Sequence, residues 1–213
     1  MLASCIDHTL LSPAATRVDV QKLCWEARTH GFAAVCVLPC RVRQASAELR
    51  GTDVRVCTVI GFPLGGHATD IKVDEVRQAR EDGAEEIDAV INVGHIKDGD
   101  WNAVAHELQE LRFACRGLSL KVILETGLLT EEEKITATNL CRAAQVDFVK
   151  TCTSSVHGGA TVADVRLLRA HAGSTMAVKA SGGIRTAAQA LALLEAGATR
   201  LGVSGSVELL EVL

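Results

Sequence analysis

The chain has 213 residues, with 22 Lys and Arg against 26 Asp and Glu, for a formal net charge of −4. That balance, with no basic run and no basic patch interleaved with aromatics, excludes an electrostatic case for nucleic acid. No apolar stretch approaches the ~20 residues that cross a bilayer, and the opening residues carry Asp7 and His8 where a secretory signal would be apolar.

Eight strand-like runs recur along the chain: Cys5–Leu10, Ala33–Leu38, Arg55–Ile60, Glu86–Val93, Lys121–Thr126, Val146–Thr151, Met176–Ala180 and Arg200–Ser204. Helical patterns fill most of the intervals. After the first run, Thr16-x-x-Asp19 resembles a capping box and opens a helix whose Val20, Leu23, Cys24 and Ala27 share one face. Gly31 ends it, since glycine takes the left-handed conformation at little cost. The third run leads into the loop Gly61-Phe62-Pro63-Leu64-Gly65-Gly66. Further helix starts are written at Thr130-x-x-Glu133, Thr161-x-x-Asp164 and Thr186-x-x-Gln189, and further stops at Gly83 and Gly197. Strand, helix and glycine stop, repeated, imply parallel pairing with right-handed crossovers. Eight such units predict an α/β fold, a single-domain (β/α)8 TIM barrel spanning 1–213. With 4 Phe, 2 Trp and no Tyr, its core must be built from Val, Leu, Ile and Ala. The 8 Cys lie singly with no CxxC pair, which reads as reduced, mostly buried thiols of a cytoplasmic protein. The mean hydropathy of +0.21 would suit a helix face buried in a homodimer.

Strand alternation then locates the charges. In the fourth run an inward Asp88 shares its face with Val90 and Asn92, leaving Ile87, Ala89, Ile91 and Val93 toward the helices. Lys150 ends the sixth run on one face with Val146, Phe148 and Cys152. Lys179 sits in the seventh on a face with Ala177. Three charges inside one barrel are expensive unless paired or solvated. A structural ion pair, or lysines that reach out to water, would be sufficient for one such residue. Two strand-end lysines in consecutive units favour chemistry: an uncharged amine can attack a carbonyl and form a Schiff base. A lysine at its reference pKa of ~10.4 is neutral only about once in 2,500 molecules at pH 7. A second ammonium about 6 Å away, at an effective dielectric of ~20, costs the charged form roughly 2.8 kcal/mol. Lys179 can supply that field to Lys150, and Asp88 can relay protons.

Phosphate is the natural ligand of the last two loops of such a barrel. Here they read Ser181-Gly182-Gly183 and Gly202-Val203-Ser204-Gly205-Ser206, where glycine lets backbone N–H groups approach an anion. Simple tight turns remain the alternative. The 7 His show no HxH or HxxxH pair, so no metal is expected. His67 and His157 follow strands and read as loop residues. No GxGxxG or GxxxxGK[ST] occurs, so no nucleotide cofactor is expected.

The segments IDHTLL (6–11), FAAVCVLPCRV (32–42), VCTVIGFPLGGH (56–67), EIDAVINVG (86–94), KVILETGLLTEEEK (121–134), VDFVKTCT (146–153), HGGAT (157–161) and VKASGGIRT (178–186) resemble the 2-deoxyribose-5-phosphate aldolase family of class I aldolases. The resemblance covers essentially the whole chain. It implies a cofactor-free enzyme that reversibly cleaves 2-deoxy-D-ribose 5-phosphate, a small phosphorylated sugar, to D-glyceraldehyde 3-phosphate and the short aldehyde acetaldehyde. In that family's terms Lys150 matches the Schiff-base lysine, Lys179 the second lysine and Asp88 the proton-transferring aspartate. Asp7 and Thr9 fall where the first strand lines the pocket, and Thr153, Gly182, Gly183, Gly202 and Ser204 fall on substrate and phosphate loops. The family reads KTSTG where this chain has Lys150-Thr151-Cys152-Thr153-Ser154, so a serine stands in a glycine's place. The Gly205-Ser206 order is also reversed relative to the family. These departures keep open an aldolase of the same fold with another sugar or aldehyde preference. A non-catalytic barrel that binds sugar phosphates is the alternative from outside the enzymes.

Overall fold

Alternating side chains give every strand two faces, and a wall of such strands closes on itself when each connection crosses back the same way. The computed structural model describes residues 2–154 and 158–211, and in it eight parallel strands form one closed barrel in the order β1 to β8. The strands are β1 Ile6–Leu10, β2 Ala34–Val37, β3 Arg55–Ile60, β4 Glu86–Val90, β5 Ser119–Ile123, β6 Phe148–Lys150, β7 Ala177–Ser181 and β8 Arg200–Val203. The helices are α1 Arg17–His30, α2 Val42–Glu48, α3 Thr69–Glu81, α4 Val93–Lys97, α5 Trp101–Ala114, α6 Glu131–Ala143, α7 Val162–His171, α8 Ala187–Glu195 and α9 Ser206–Glu211. No helix among the described residues is long and apolar enough to cross a membrane.

The local signals do their expected work. Thr16, Thr130 and Thr186 form full capping boxes with Asp19, Glu133 and Gln189, and Thr161 accepts from the Asp164 N–H. Gly31 ends α1 at φ 67°. The fourth strand is shorter than its apolar run suggests. Asn92 turns away from the ladder to cap α4, its Oδ1 accepting from the His95 N–H at 3.3 Å.

The main core lies between the strands and the helices. Val35, Val37, Ile87, Val122, Val149 and Val178 bury their outward faces there against the helices. Asp147, read as outward, is held by Arg112, whose guanidinium also donates to the carbonyls of Cys115 and Leu118 at the amino-terminal end of the barrel. The interior divides into two halves. On β2 and β3, Ala34, Cys36, Cys57 and Val59 form a small separate cluster. The rest of the interior holds the charged side chains, interleaved with Val90, Ile123, Phe148 and Ala177.

Candidate active site

Ladder register places the charges. Lys150 and Lys179 are direct partners across β6 and β7, and Asp88 and Lys121 are partners across β4 and β5. Partners in a parallel pair stand one strand spacing apart on the same face, about 4.8 Å. Both lysine ammonium groups reach the same oxygen: Lys150 Nζ and Lys179 Nζ each lie 2.7 Å from Asp88 Oδ2. The two nitrogens are therefore within twice that distance of each other, as the activation argument requires.

The cluster is larger than the three residues read from the sequence. Lys121 Nζ lies 2.9 Å from Asp88 Oδ1 and 2.6 Å from Glu86 Oε2. Arg200 spans Glu86 Oε1 at 2.7 Å and Asp7 Oδ1 at 3.1 Å. Lys179 also donates to Asp7 Oδ2. Beneath them, Phe148 has the Lys121 nitrogen 6.0 Å and the Arg200 guanidinium 5.8 Å from its ring centre, within reach of a cation–π contact. Four cations, Lys121, Lys150, Lys179 and Arg200, thus share three carboxylates, Asp7, Glu86 and Asp88. With every group ionised these four cations outnumber the three carboxylates, and the exposed Arg55 adds a further contact to Glu86 at 3.9 Å.

Burial and pairing pull in opposite directions here, and pairing wins for most members. Burial pushes the Asp88 carboxyl up, but Lys121, Lys150 and Lys179 together hold it well below the usual carboxylate range. Asp7 is likewise pushed up by burial and brought below its ordinary value, chiefly by Lys179 and Lys121. Burial drags Lys179 down, and Asp7 and Asp88 more than reverse it. Lys121 follows the same pattern, with Asp88 the main partner, and ends well above an ordinary lysine. Lys179 is therefore a fixed positive charge beside Lys150. The simple picture of two repelling ammonium groups is incomplete, because Asp88 sits between them and attracts both.

Access separates Lys150 from the rest. A cavity of about 300 Å3 opens at the carboxyl ends of the strands and is lined by Lys150, Thr9, Thr153, Ser154, Gly182 and Ser204, among others. Gly183 and Gly202 also border it. Asp7, Asp88 and Lys179 are fully buried below this floor and do not line it, so Asp7 meets Lys179 and Arg200 rather than open space. Thr9 Oγ1 donates to the Asp7 carbonyl at 2.9 Å, which links the rim to the charged layer. Gly182 has φ 95°, and a Cβ there would come within 2.6 Å of Cys152 Sγ, so the glycine is required for the loop to pass. His67 is exposed, and His157 lies outside the described residues.

Lys121, Glu86 and Arg200 were legible but unread. Glu86 is two residues before Asp88, and Arg200 two before Gly202, so alternation puts both inside. Cys36, Cys57 and Asp88 offer ligand atoms within 4.8 Å of one another. A divalent cation there would have to enter beside Lys121, Lys150 and Lys179, which already occupy the Asp88 oxygens. Cys152 packs under the loop, its thiol donating to the Ser181 carbonyl at 2.8 Å, and burial raises its pKa.

A closed parallel barrel with a cavity at the carboxyl ends of its strands is the architecture of a TIM-barrel enzyme. The comparisons give the family. The DeoC/LacD family aldolase model matches residues 1–212, and the chain belongs to that family. Among its relatives, a deoxyribose-phosphate aldolase of Thermococcus gammatolerans is 53% identical over 214 residues, covering 99% of this chain and 95% of the relative. One of Aciduliprofundum boonei is 50% identical over 214 residues, covering 100% of this chain and 96% of the relative. The tetrameric deoxyribose phosphate aldolase structure from Aeropyrum pernix superposes with TM-score 0.91 at 38% identity, over 99% of this chain and 89% of that one.

Proposed function

We propose that this chain is a class I aldolase that reversibly cleaves 2-deoxy-D-ribose 5-phosphate to D-glyceraldehyde 3-phosphate and acetaldehyde, with Lys150 as the Schiff-base amine. The observation that carries the reading is that Lys150 alone, of the four clustered cations, borders the cavity. Relatives at about half identity over the full length, all named for this reaction, support the substrate.

The chemistry follows from the charge surplus. Lys121 and Lys179 are each held by at least two carboxylates, and Arg200 cannot give up a proton in practice. Lys150 has one carboxylate oxygen and shares it. Its amine attacks C1 of the open-chain sugar, and loss of water gives an iminium ion. Removal of the C3 hydroxyl proton breaks the C2–C3 bond, and the iminium accepts the electron pair as an enamine. The three-carbon aldehyde phosphate leaves. Protonation of the enamine carbon and hydrolysis then release acetaldehyde. Asp88, 2.7 Å from the Lys150 nitrogen, can exchange a proton with that amine as the steps proceed. The glycine-rich loops at Gly182, Gly183 and Gly202, with Ser204, are suited to the phosphate.

Borohydride with acetaldehyde tests the assignment. The expected product is a reduced two-carbon adduct on Lys150, read by peptide mass spectrometry. An adduct confined to another lysine, or none, rejects it. The 8 free cysteines support a reducing compartment, consistent with a cytoplasmic enzyme.

A further inference from the structure

Ser154 is strained where nothing in the aldolase chemistry above requires strain. It holds φ 67°, in the left-handed region that residues with a Cβ enter only when their surroundings hold them there. The restraint is visible. The preceding Thr153 donates both its N–H, at 3.1 Å, and its hydroxyl, at 2.5 Å, to Glu125 Oε2. Glu125 is itself buried at the end of β5 with φ 55°. Two left-handed residues on neighbouring strand ends are thus tied by one carboxylate.

The turn delivers a hydroxyl. Ser154 is exposed and lines the cavity beside Gly182 and Ser204. Its backbone N–H is engaged by the Cys152 sulfur, while its hydroxyl has no hydrogen-bond partner among the described residues. Oγ stands 3.0 Å from where a Cβ on Gly182 would be, so it faces the glycine loop directly. Among the described residues lining this cavity, Lys150 is the sole cation, and it is committed to the carbonyl end of the substrate. An anion at the loop end is then gripped by neutral N–H and O–H donors, and each bond to a charged oxygen is about twice as strong as a neutral one.

We propose that Ser154 Oγ donates a hydrogen bond to the phosphate ester of the substrate and thereby sets the preference for phosphorylated over unphosphorylated acceptor aldehydes. This rests on the aldolase reading above. Glu125 acts through Thr153 as a positioning residue that holds the turn.

The test uses S154A, which keeps the Cβ and the backbone strain but loses the hydroxyl, and S154G, which loses both. Each is assayed in the synthesis direction with acetaldehyde and either D-glyceraldehyde 3-phosphate or D-glyceraldehyde, and inorganic phosphate is titrated by calorimetry. Both variants are expected to lose roughly tenfold of the parent's preference for the phosphorylated acceptor, through KM rather than kcat, and to bind inorganic phosphate correspondingly less tightly. A preference and phosphate affinity in S154A equal to the parent's overturn the proposal, as does a change confined to S154G, which would assign the effect to the backbone. If the parent itself gives no borohydride adduct at Lys150, the aldolase reading fails instead, and the phosphate titration still decides the role of Ser154.

Discussion

Two buried lysines in this barrel sit in contrasting electrostatic surroundings, and only one of them borders the cavity proposed to hold the substrate. Lys72, on α3, is fully buried outside the strand wall, where it donates to Glu107 Oε2 at 2.7 Å and to the Val90 carbonyl at 2.8 Å. Glu107 uses its other oxygen to accept from the Asn92 N–H at 3.0 Å. One charge meets one countercharge, and Lys72 is not among the residues lining the cavity beside Lys150. Burial lowers the Lys72 pKa and Glu107 restores part of it, yet the amine has nothing to attack. Lys150, 4% exposed, shares a single carboxylate oxygen with a second ammonium and faces a cavity. What sets the proposed Schiff-base amine apart is a shared countercharge together with access.

The strongest way to break this contrast is to delete each amine. Lys150→Met should lower turnover by about four orders of magnitude or more, since the covalent route is gone, while the melting temperature stays near the parent's. Lys72→Met should do the reverse. Removing one partner of a buried pair costs roughly 3–5 kcal/mol, read as a shifted denaturation midpoint, with activity per folded molecule retained. A stable but inactive Lys72→Met would refute the division of labour. Lys179→Leu comes next: with the fixed positive charge gone, the rate at neutral pH should fall about a hundredfold and the acid side of the pH–rate profile should move to higher pH. An unmoved profile would mean that Asp88, not Lys179, governs the amine. The double change Lys72→Met with Glu107→Leu should recover most of the stability lost by Lys72→Met alone, because no uncompensated charge remains; failure to recover would show that the Val90 and Asn92 bonds matter more than the pair.

Smaller effects follow from the shifted titrations. Asp7 and Asp88 are held below their ordinary values when folded, so their contribution to stability is complete above about pH 4 and is lost as pH falls toward their folded values. Lys121 and Lys179 are raised, so theirs is complete below about pH 10 and is lost on further alkalinisation. His8 is shifted the other way. Burial, only partly offset by Glu26, lowers its pKa, so the fold favours the neutral ring and stability should decline slightly as pH falls below about 6.5. Thermal melts across pH should therefore show a plateau with a shallow acid shoulder, and His8→Gln should remove the shoulder.

The barrel was legible because its signals are local. Alternation, capping threonines and glycine stops name each strand and helix without reference to the others, and only the strand ends moved, as at Asn92. The charged site was half legible. Lys150, Lys179 and Asp88 stand in strands that their neighbours make obvious, and parity fixes their direction. Lys121 escaped because it begins the apolar run it belongs to, and Glu86 because it precedes Asp88 beside another glutamate. Which carboxylate meets which amine depends on register between strands far apart in sequence, and no single strand encodes that. Lys72 was invisible for another reason: in a helix rich in charged residues, one lysine turned inward changes the pattern very little.

The Arg112 clasp has a practical consequence. One guanidinium ties Asp147 to the carbonyls that lead into β5, at the end of the barrel opposite the substrate entrance. Attachments made around that pole, such as a surface tether or a fused partner, would leave the cavity beside Lys150 unobstructed, so if that cavity is the active site, as proposed, immobilised preparations oriented this way should work as fast as free ones.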